Sequence, residues 1–472
     1  MTTRSYCQFH CLNDHSMGRS TFTIDARWGA VARCILVVIS LSLSMAYMAT
    51  VQATDDWSRF HGSDGSGKVA SGALPTTWTS QDYDWTMALG GTDVGSPVVA
   101  GGVVYLLDAT TTKEQAKSVD LLAVDLKTGQ ELWRRAHPIT DIRRHARNSP
   151  ASTTPVVDGD RVFFAYGDAK GAYLHAYDTD GQKQWSRDLG PWTGYHGFGT
   201  SPMVVGSKVI LFNSQQVDKL EDWQVAGESR MMAFDRTTGE DVWSTPLKAT
   251  RPCYGVPAIY SGSPTQLIAA NTGNGIFSLD AQSGRMLWSL EVFDKRSCSS
   301  PLVVTGLEVG DLAIGTCGSG GGGNILSAVR IPTQPGQQPE EVIRITSSAP
   351  YVPTSVVKDH LLFTVSDAGV ASCFDLNDGG KKLWNERLGG NFGASPIIVG
   401  DRLLMIALDG TAHVTEASAM RSPVSEFDLG GSAGATPAFA SGRLILRVGN
   451  QLHCLHTERL AERVGAISQR SR

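Results

Sequence analysis

A short phrase, in which proline is followed by apolar residues, recurs eight times along this chain of 472 residues. It reads Ser96-Pro97-Val98-Val99, Thr154-Pro155-Val156-Val157, Ser201-Pro202-Met203-Val204, Val256-Pro257-Ala258-Ile259, Ser300-Pro301-Leu302-Val303, Val352-Pro353-Thr354-Ser355, Ser395-Pro396-Ile397-Ile398 and Thr436-Pro437-Ala438-Phe439. Successive prolines lie 58, 47, 55, 44, 52, 43 and 41 residues apart. Self-similarity at such a period means that each unit is one supersecondary motif whose apolar faces are buried only by its neighbours. Few folds satisfy that.

A second phrase follows most copies of the first. Ala123-Val124-Asp125 runs through Thr128-Gly129 to Trp133, and Ala233-Phe234-Asp235 runs through Thr238-Gly239 to Trp243. Comparable stretches end at Trp185, Trp288 and Trp384. Asp hydrogen-bonds its own backbone two residues on and Gly supplies positive φ, so the stretch between Asp and Trp is turn chemistry. Between the two phrases lies a β-branched or aromatic run such as Arg161-Val162-Phe163-Phe164. Each unit therefore reads as strand A after the proline, strand B, strand C ending at Asp, a glycine turn, and strand D carrying Trp. Tryptophan on the outer strand offers a large apolar plate to the neighbouring unit.

Four-stranded units of this length, repeated eight times, predict an all-β, eight-bladed β-propeller of antiparallel blades. The ends of the chain support closure. The last unit has strands A to C, ending near Cys454, but no Trp strand, whereas Trp85 has a Trp strand with no A to C before it. The strand near Trp85 should complete the last blade. Ile343 and Phe427 stand where the fifth and seventh units would carry Trp.

Composition agrees with this reading. Charged residues are only 18% of the chain, 51 of 472 residues are Gly, and 41% are hydrophobic. A core of that size folds without disulfide staples or a structural metal. A net charge of -5 removes a general nucleic-acid footprint.

Ahead of the repeats, Arg27 and Arg33 precede the uncharged run 34–54, which ends in Val51-Gln52-Ala53. A basic region, an apolar stretch and a small-residue exit form an export signal. The expected organisation is a signal peptide or signal anchor over 1–53, a lead-in over 54–84, the propeller over 85–456 and a tail over 457–472. The protein is expected to be exported, periplasmic or extracellular, to touch a membrane only through an uncleaved segment at 34–54, and to be monomeric.

The phrases resemble the repeats of the PQQ-binding-like eight-bladed propellers, the superfamily of quinoprotein alcohol dehydrogenases and of the BamB outer-membrane assembly lipoprotein. The lead-in is similar to that of secreted bacterial members, with Trp57, Phe60 and Gly62, then Asp64-Gly65 and Gly67, then Leu74-Pro75 and Trp78. The enzymes of this group imply PQQ with a Ca²⁺ held by Glu, Asn and Asp, a catalytic Asp, and a disulfide between adjacent cysteines. No two cysteines are adjacent in this chain, and no such acidic set stands out, although Asn213, Asn271 and Asn274 lie in suitable regions. No cofactor is therefore assigned, PQQ with Ca²⁺ remaining the alternative.

Chemistry in a propeller gathers where the D-to-A and B-to-C loops ring the channel mouth. The stretch from Trp133 to Pro155 contains Arg134, Arg135, His137, Arg143, Arg144, His145 and Arg147 against one acid, Asp141. Tyr195, His196, Arg251, Lys295 and Arg296 join them on the same face. Arginine forks suit carboxylates and phosphates, and clustered charge of one sign focuses potential on the mouth. Arg143, Arg144, His145, Arg147, Tyr195, His196, Arg251, Lys295 and Arg296 are the candidate ligand-binding residues, with no catalytic residue and no metal ligand assigned. Trp223 is expected to plug its own B-to-C loop. Cys298 and Cys317 flank a hairpin centred near Leu307, which brings them within reach of a disulfide, with paired buried thiols as the alternative. The favoured function is a non-catalytic binding or scaffold module for a protein partner or small anionic ligand. A quinoprotein oxidoreductase with a degenerate site and a BamB-like assembly factor are the alternatives.

Overall fold

The computed structural model describes residues 56–460 apart from Lys113, Glu114, Arg143, Trp223 and Pro335. The predicted signal and the rest of the tail beyond Leu460 lie outside the described residues, as does the expected plug Trp223. Eight sheets of antiparallel strands follow one another around a ring. Blade 1 shows the pattern: strand A is Val98–Ala100, B is Val103–Thr112, C is Gln115–Asp125 and D is Glu131–Pro138. The ring closes as the sequence predicts. Trp85–Ala88 pairs with Gln451–His456, Trp85 opposite Cys454, and supplies strand D of blade 8.

The two repeated phrases do different work. In the second, Asp125 Oδ1 accepts from the backbone N–H groups of Lys127 and Thr128 (3.0 and 2.8 Å) and from the Thr128 hydroxyl (2.8 Å). Those donors hold its carboxyl below the usual range. The indoles of five outer-strand Trp residues then reach over the next blade and donate to a turn carbonyl. Trp85 bonds Leu126 O, Trp133 bonds Thr179 O, Trp185 bonds Arg236 O, Trp243 bonds Ala281 O and Trp384 bonds Ser418 O, at 2.9–3.3 Å. Gly129 sits beneath the Trp85 ring with φ +72°, and a Cβ there would lie 2.5 Å from the ring. Both the turn and the overlying ring therefore demand glycine. Ile343 covers Gly380 in the same manner. Trp288 departs from the pattern and bonds Gln266 Oε1 within its own blade at 3.1 Å.

The first phrase makes a belt. The backbone N–H of Ser96 donates to the hydroxyl of Thr154 in the next blade, and Thr154 to Ser201. Val256 donates to Ser300, Ser300 to Thr354, Thr354 to Ser395, Ser395 to Thr436, and Thr436 back to Ser96. The seven bonds measure 2.8–3.3 Å and tie neighbouring blades at their innermost residues. The belt is interrupted only where Val256 offers Ser201 no hydroxyl. It also corrects the reading of blade 6. Strand A there is Val356–Lys358 and the belt residue is Thr354, so the equivalent phrase starts two residues after Val352. Pro353 belongs to the loop, because Thr354, two residues ahead of strand A, is the residue that accepts from Ser300 N–H.

The lead-in runs inside the ring. Trp57 bridges Val99 of blade 1, Ser58 O accepts from Val157 N–H of blade 2, and Lys68–Val69 pairs parallel to strand A of blade 7, Ile397–Val399. Inner edges that would otherwise lie bare along the axis are thereby paired. Trp57, Leu74 and Trp78 are buried in one continuous core with residues of blades 7, 8 and 1.

At that closing seam sits a buried ionic lock. Arg447 of blade 8, 3% exposed, reaches Asp93 and Asp108 at 3.0 Å and donates to Leu107 O at 2.6 Å. Arg134 bridges Asp108 and Asp120 at 3.3 and 3.1 Å. Replacing one member of such a group strands the opposite charge in a dry site. Arg447→Met should therefore cost about 3–5 kcal/mol in urea denaturation; a loss under 1 kcal/mol would contradict a closing role. Conversely, Val256→Thr supplies the missing belt hydroxyl and should raise stability by about 0.5–1.5 kcal/mol, read as a higher denaturation midpoint at unchanged slope.

Candidate functional site

Above the belt the blades enclose a cavity of about 480 Å³ at the mouth of the ring. All eight belt residues line it, and Phe60 of the lead-in contributes to the lining from within the ring. Five of the candidate residues converge there: His145, Arg147, His196, Arg251 and Arg296. They come from the loops joining blades 1 and 2, 2 and 3, 3 and 4, and 4 and 5.

The others are placed differently. Arg144 is half-buried and paired with Asp141 three residues earlier. Tyr195 is 40% exposed at the rim and presents its ring edge to His196, centroids 5.3 Å apart. Lys295 donates to Gly323 O at 2.6 Å and does not line the cavity. Arg143 lies outside the described residues. Arg134, Arg135 and His137 belong to strand D of blade 1 rather than to the loop after it. Arg134 serves the ionic lock, Arg135 bonds Gly181 O at 2.6 Å, and His137 meets the Tyr177 hydroxyl at 3.1 Å. Their spacing alone could not separate strand from loop, because the strand runs five residues beyond its Trp.

The cysteines are corrected as well. Cys298 and Cys317 are both free thiols. The hairpin pairs Leu302 with Ile314, but farther along Arg296 rather than Cys298 bridges Gly318, which leaves Cys298 one residue out of step with Cys317. A one-residue offset sends the two side chains to opposite faces. Cys298 lines the cavity, whereas Cys317 packs into the core between blades 4 and 5. Burial pushes the Cys298 thiol up to about 12, so it is a neutral group near pH 7.

Charge in the cavity is of one sign. Arg147, Arg251 and Arg296 line it, and among the described residues no Asp or Glu does. Arg251 has Asp218 at 3.4 Å, and Arg147 faces Asp367 across the mouth at 3.7 Å. Arg296 has no carboxylate partner among the described residues, and its Nε is buried without an acceptor. Tyr254 and Tyr351, which the sequence reading missed, complete the wall. Burial raises both phenols, so they stay neutral donors. The belt hydroxyls accept from backbone N–H groups, which leaves each O–H hydrogen free to turn toward the cavity. His196 stacks on His145 with centroids 5.1 Å apart and lies 3.4 Å from Arg296 Nη1. Burial first, then Arg296 and His145, bring its imidazole down to about 4.

The lining of this cavity fits one half of the quinoprotein pair and not the other. A tricarboxylate suits three arginines and a ring of hydroxyls. Ca²⁺ does not, because it takes six to eight oxygens with carboxylates prominent among them. No group of three or more His, Cys, Asp or Glu able to hold a metal exists among the described residues.

The family model described as outer membrane protein assembly factor BamB matches residues 143–252 and 227–313. A quinoprotein ethanol dehydrogenase of Pseudomonas aeruginosa is 28% identical over 154 residues, 32% of this chain and 22% of the dehydrogenase. Two solved structures superpose over most of both chains. They are a europium-containing methanol dehydrogenase (TM-score 0.59, 12% identity, 82% of this chain and 89% of that one) and BamB from Moraxella catarrhalis (TM-score 0.53, 15% identity, 81% and 97%). The chain is an eight-bladed β-propeller whose repeats are similar to those of the PQQ-like family. This propeller shares its blades with relatives of both kinds, and at these identities the structural likeness speaks for the fold alone.

Four imidazoles of the propeller are held well below their ordinary 6.5: His137, His196 and His453 at about 4 and His175 at about 3, each chiefly by burial. Between pH 6.5 and 4 the unfolded chain binds protons that the native state refuses, so stability falls as pH falls through that window. Thermal melts should lose midpoint steadily from pH 6.5 to 5, where unfolded-state histidines titrate. His175→Gln should flatten part of the slope. A pH-independent midpoint over that range would contradict these burials.

Proposed function

We propose that this propeller is a binding protein rather than a catalyst, and that its ligand is a small molecule bearing two or more carboxylates, held in the mouth cavity. The observation that carries this reading is the lining: three arginines, a ring of hydroxyl donors and no acid among the described residues. Its volume of about 480 Å³ lies in the range of small-molecule sites. The wall offers no carboxylate base, and its thiol and phenols are held neutral by burial. Those groups suit orientation of an anion better than proton or hydride transfer. The export signal read at 1–53, together with a family model named for an outer-membrane assembly factor, supports a site of action outside the cytoplasm.

The BamB match over 143–313 favours a second reading, in which the same cations take the acidic end of a partner polypeptide. Entry through the mouth alone limits that partner to a chain terminus or a narrow loop.

Calorimetric titration with benzene-1,3,5-tricarboxylate, PQQ and an acidic decapeptide, each with and without Ca²⁺, distinguishes the readings. Saturable binding of the tricarboxylates without Ca²⁺ is expected. Arg296→Gln and Arg251→Gln should each weaken it about tenfold or more, the value of a charge-assisted hydrogen bond. Binding of the peptide alone would favour the second reading. Binding that requires Ca²⁺, with alcohol-dependent reduction of a dye, would overturn the non-catalytic one.

A further inference from the structure

The charge balance of the mouth cavity carries a consequence for His196. Its imidazole lies 3.4 Å from Arg296 Nη1. Arginine only donates, so Nε2 is the acceptor and the ring is neutral, with its hydrogen on Nδ1. That Nδ1 is buried and has no partner. His145 stacks on one face at 5.1 Å, with Arg147 N–H donating to its Nδ1 at 3.1 Å. Tyr195 meets the ring by an edge, and the Tyr254 hydroxyl donates to the neighbouring Gly197 O at 3.1 Å. The acids nearest these elements are engaged elsewhere: Asp141 with Arg144, and Asp367 with Arg147 and two backbone N–H groups of the loop at Tyr351. His196 therefore faces cations, phenols and another imidazole, with no carboxylate among its described partners.

Resting on the polycarboxylate reading above, we infer that His196 is a proton-gated ligand of this site, so that a carboxylate enters the cavity together with a proton. A carboxylate oxygen placed between Arg296 and His196 accepts from both. Arg296 supplies its hydrogen at any pH, but Nε2 can donate only after protonation. Burial first, then the cation and the second imidazole, keep the ring neutral, and the incoming negative charge offsets the latter two. The bond balance is simple: a proton leaves solvent for Nε2, the Arg296–Nε2 hydrogen bond is exchanged for two bonds to the carboxylate, and no covalent bond changes. Selectivity follows for ligands with at least two carboxylates, because Arg251 and Arg147 remain for the second.

Titration of the full propeller with benzene-1,3,5-tricarboxylate, in two buffers of different ionisation heat, reads the proton directly. Uptake approaching one proton per ligand at pH 6–7 is expected, with affinity tightening by up to about tenfold per pH unit from pH 8 to 6. His196→Gln should abolish both the uptake and the pH dependence while retaining binding that Arg296→Gln weakens. Arginine-dependent binding with no proton uptake, or uptake unchanged in His196→Gln, overturns the inference and leaves the polycarboxylate reading standing. No binding at any pH overturns both. If His196→Gln fails to fold, histidine NMR of the wild type decides: one cavity imidazole must titrate below pH 5 alone and above pH 6.5 with ligand, and an unmoved resonance refutes the gate.

Discussion

At seven of the eight seams a blade hands the next a hydrogen bond near the axis, from the backbone N–H of its belt residue to the hydroxyl of its neighbour's. These N–H groups are buried and have no strand partner of their own, so an empty acceptor position would leave a costly orphan. The small hydroxyl residue at this place thus serves every seam but the one at Val256, and the belt lines the mouth. Every later feature depends on that circle. Outer tryptophans clamp the rims of five seams, the ionic lock of Arg447, Asp93 and Asp108 secures the closing seam, and the lead-in pairs with the inner edges of blades 1, 2 and 7.

The lead-in turns a ring into a vessel. Strand edges facing the axis are open templates for pairing, and here those of blades 1, 2 and 7 are taken by the chain itself. Phe60 is among the residues that bound the cavity, beside the loop residues of the mouth. The same hydroxyls that hold the blades together keep their own hydrogens for whatever enters. Stability and recognition use one set of atoms, with the acceptor lone pair serving the first and the O–H the second.

The fold was legible because a propeller writes itself into the sequence one blade at a time. The turn acid, the turn glycine and the Trp of each unit answer to local rules, and the mismatch between Trp85 and the unfinished last unit announces closure. Where the reading slipped, a local signal was misleading. Pro353 looked like the sixth phrase, but the belt selects a hydroxyl rather than a proline, and Thr354 supplies it. The basic run after Trp133 looked like one loop, but strand D of blade 1 extends to Pro138 and draws Arg134, Arg135 and His137 into seams. Cys298 and Cys317 looked opposed, but the register puts them one step apart. Of the candidate cavity residues, His145, Arg147, His196, Arg251 and Arg296 were found because loops from neighbouring blades must share a face. Tyr254, Tyr351 and Phe60 were missed because nothing in their immediate sequence distinguishes a cavity wall from a core.

By itself the sequence determined the number of blades, the order of strands within them, the closing strand and the face on which positive charge gathers, since each follows from spacing and turn chemistry. Only the tertiary structure decided which of those charges remain without a carboxylate. Asp141, Asp367 and Asp218 come to Arg144, Arg147 and Arg251, while Arg296 is left beside His196. Pairing across blades depends on distances of a few ångströms between loops far apart in the chain, and those distances exist only once the ring has closed.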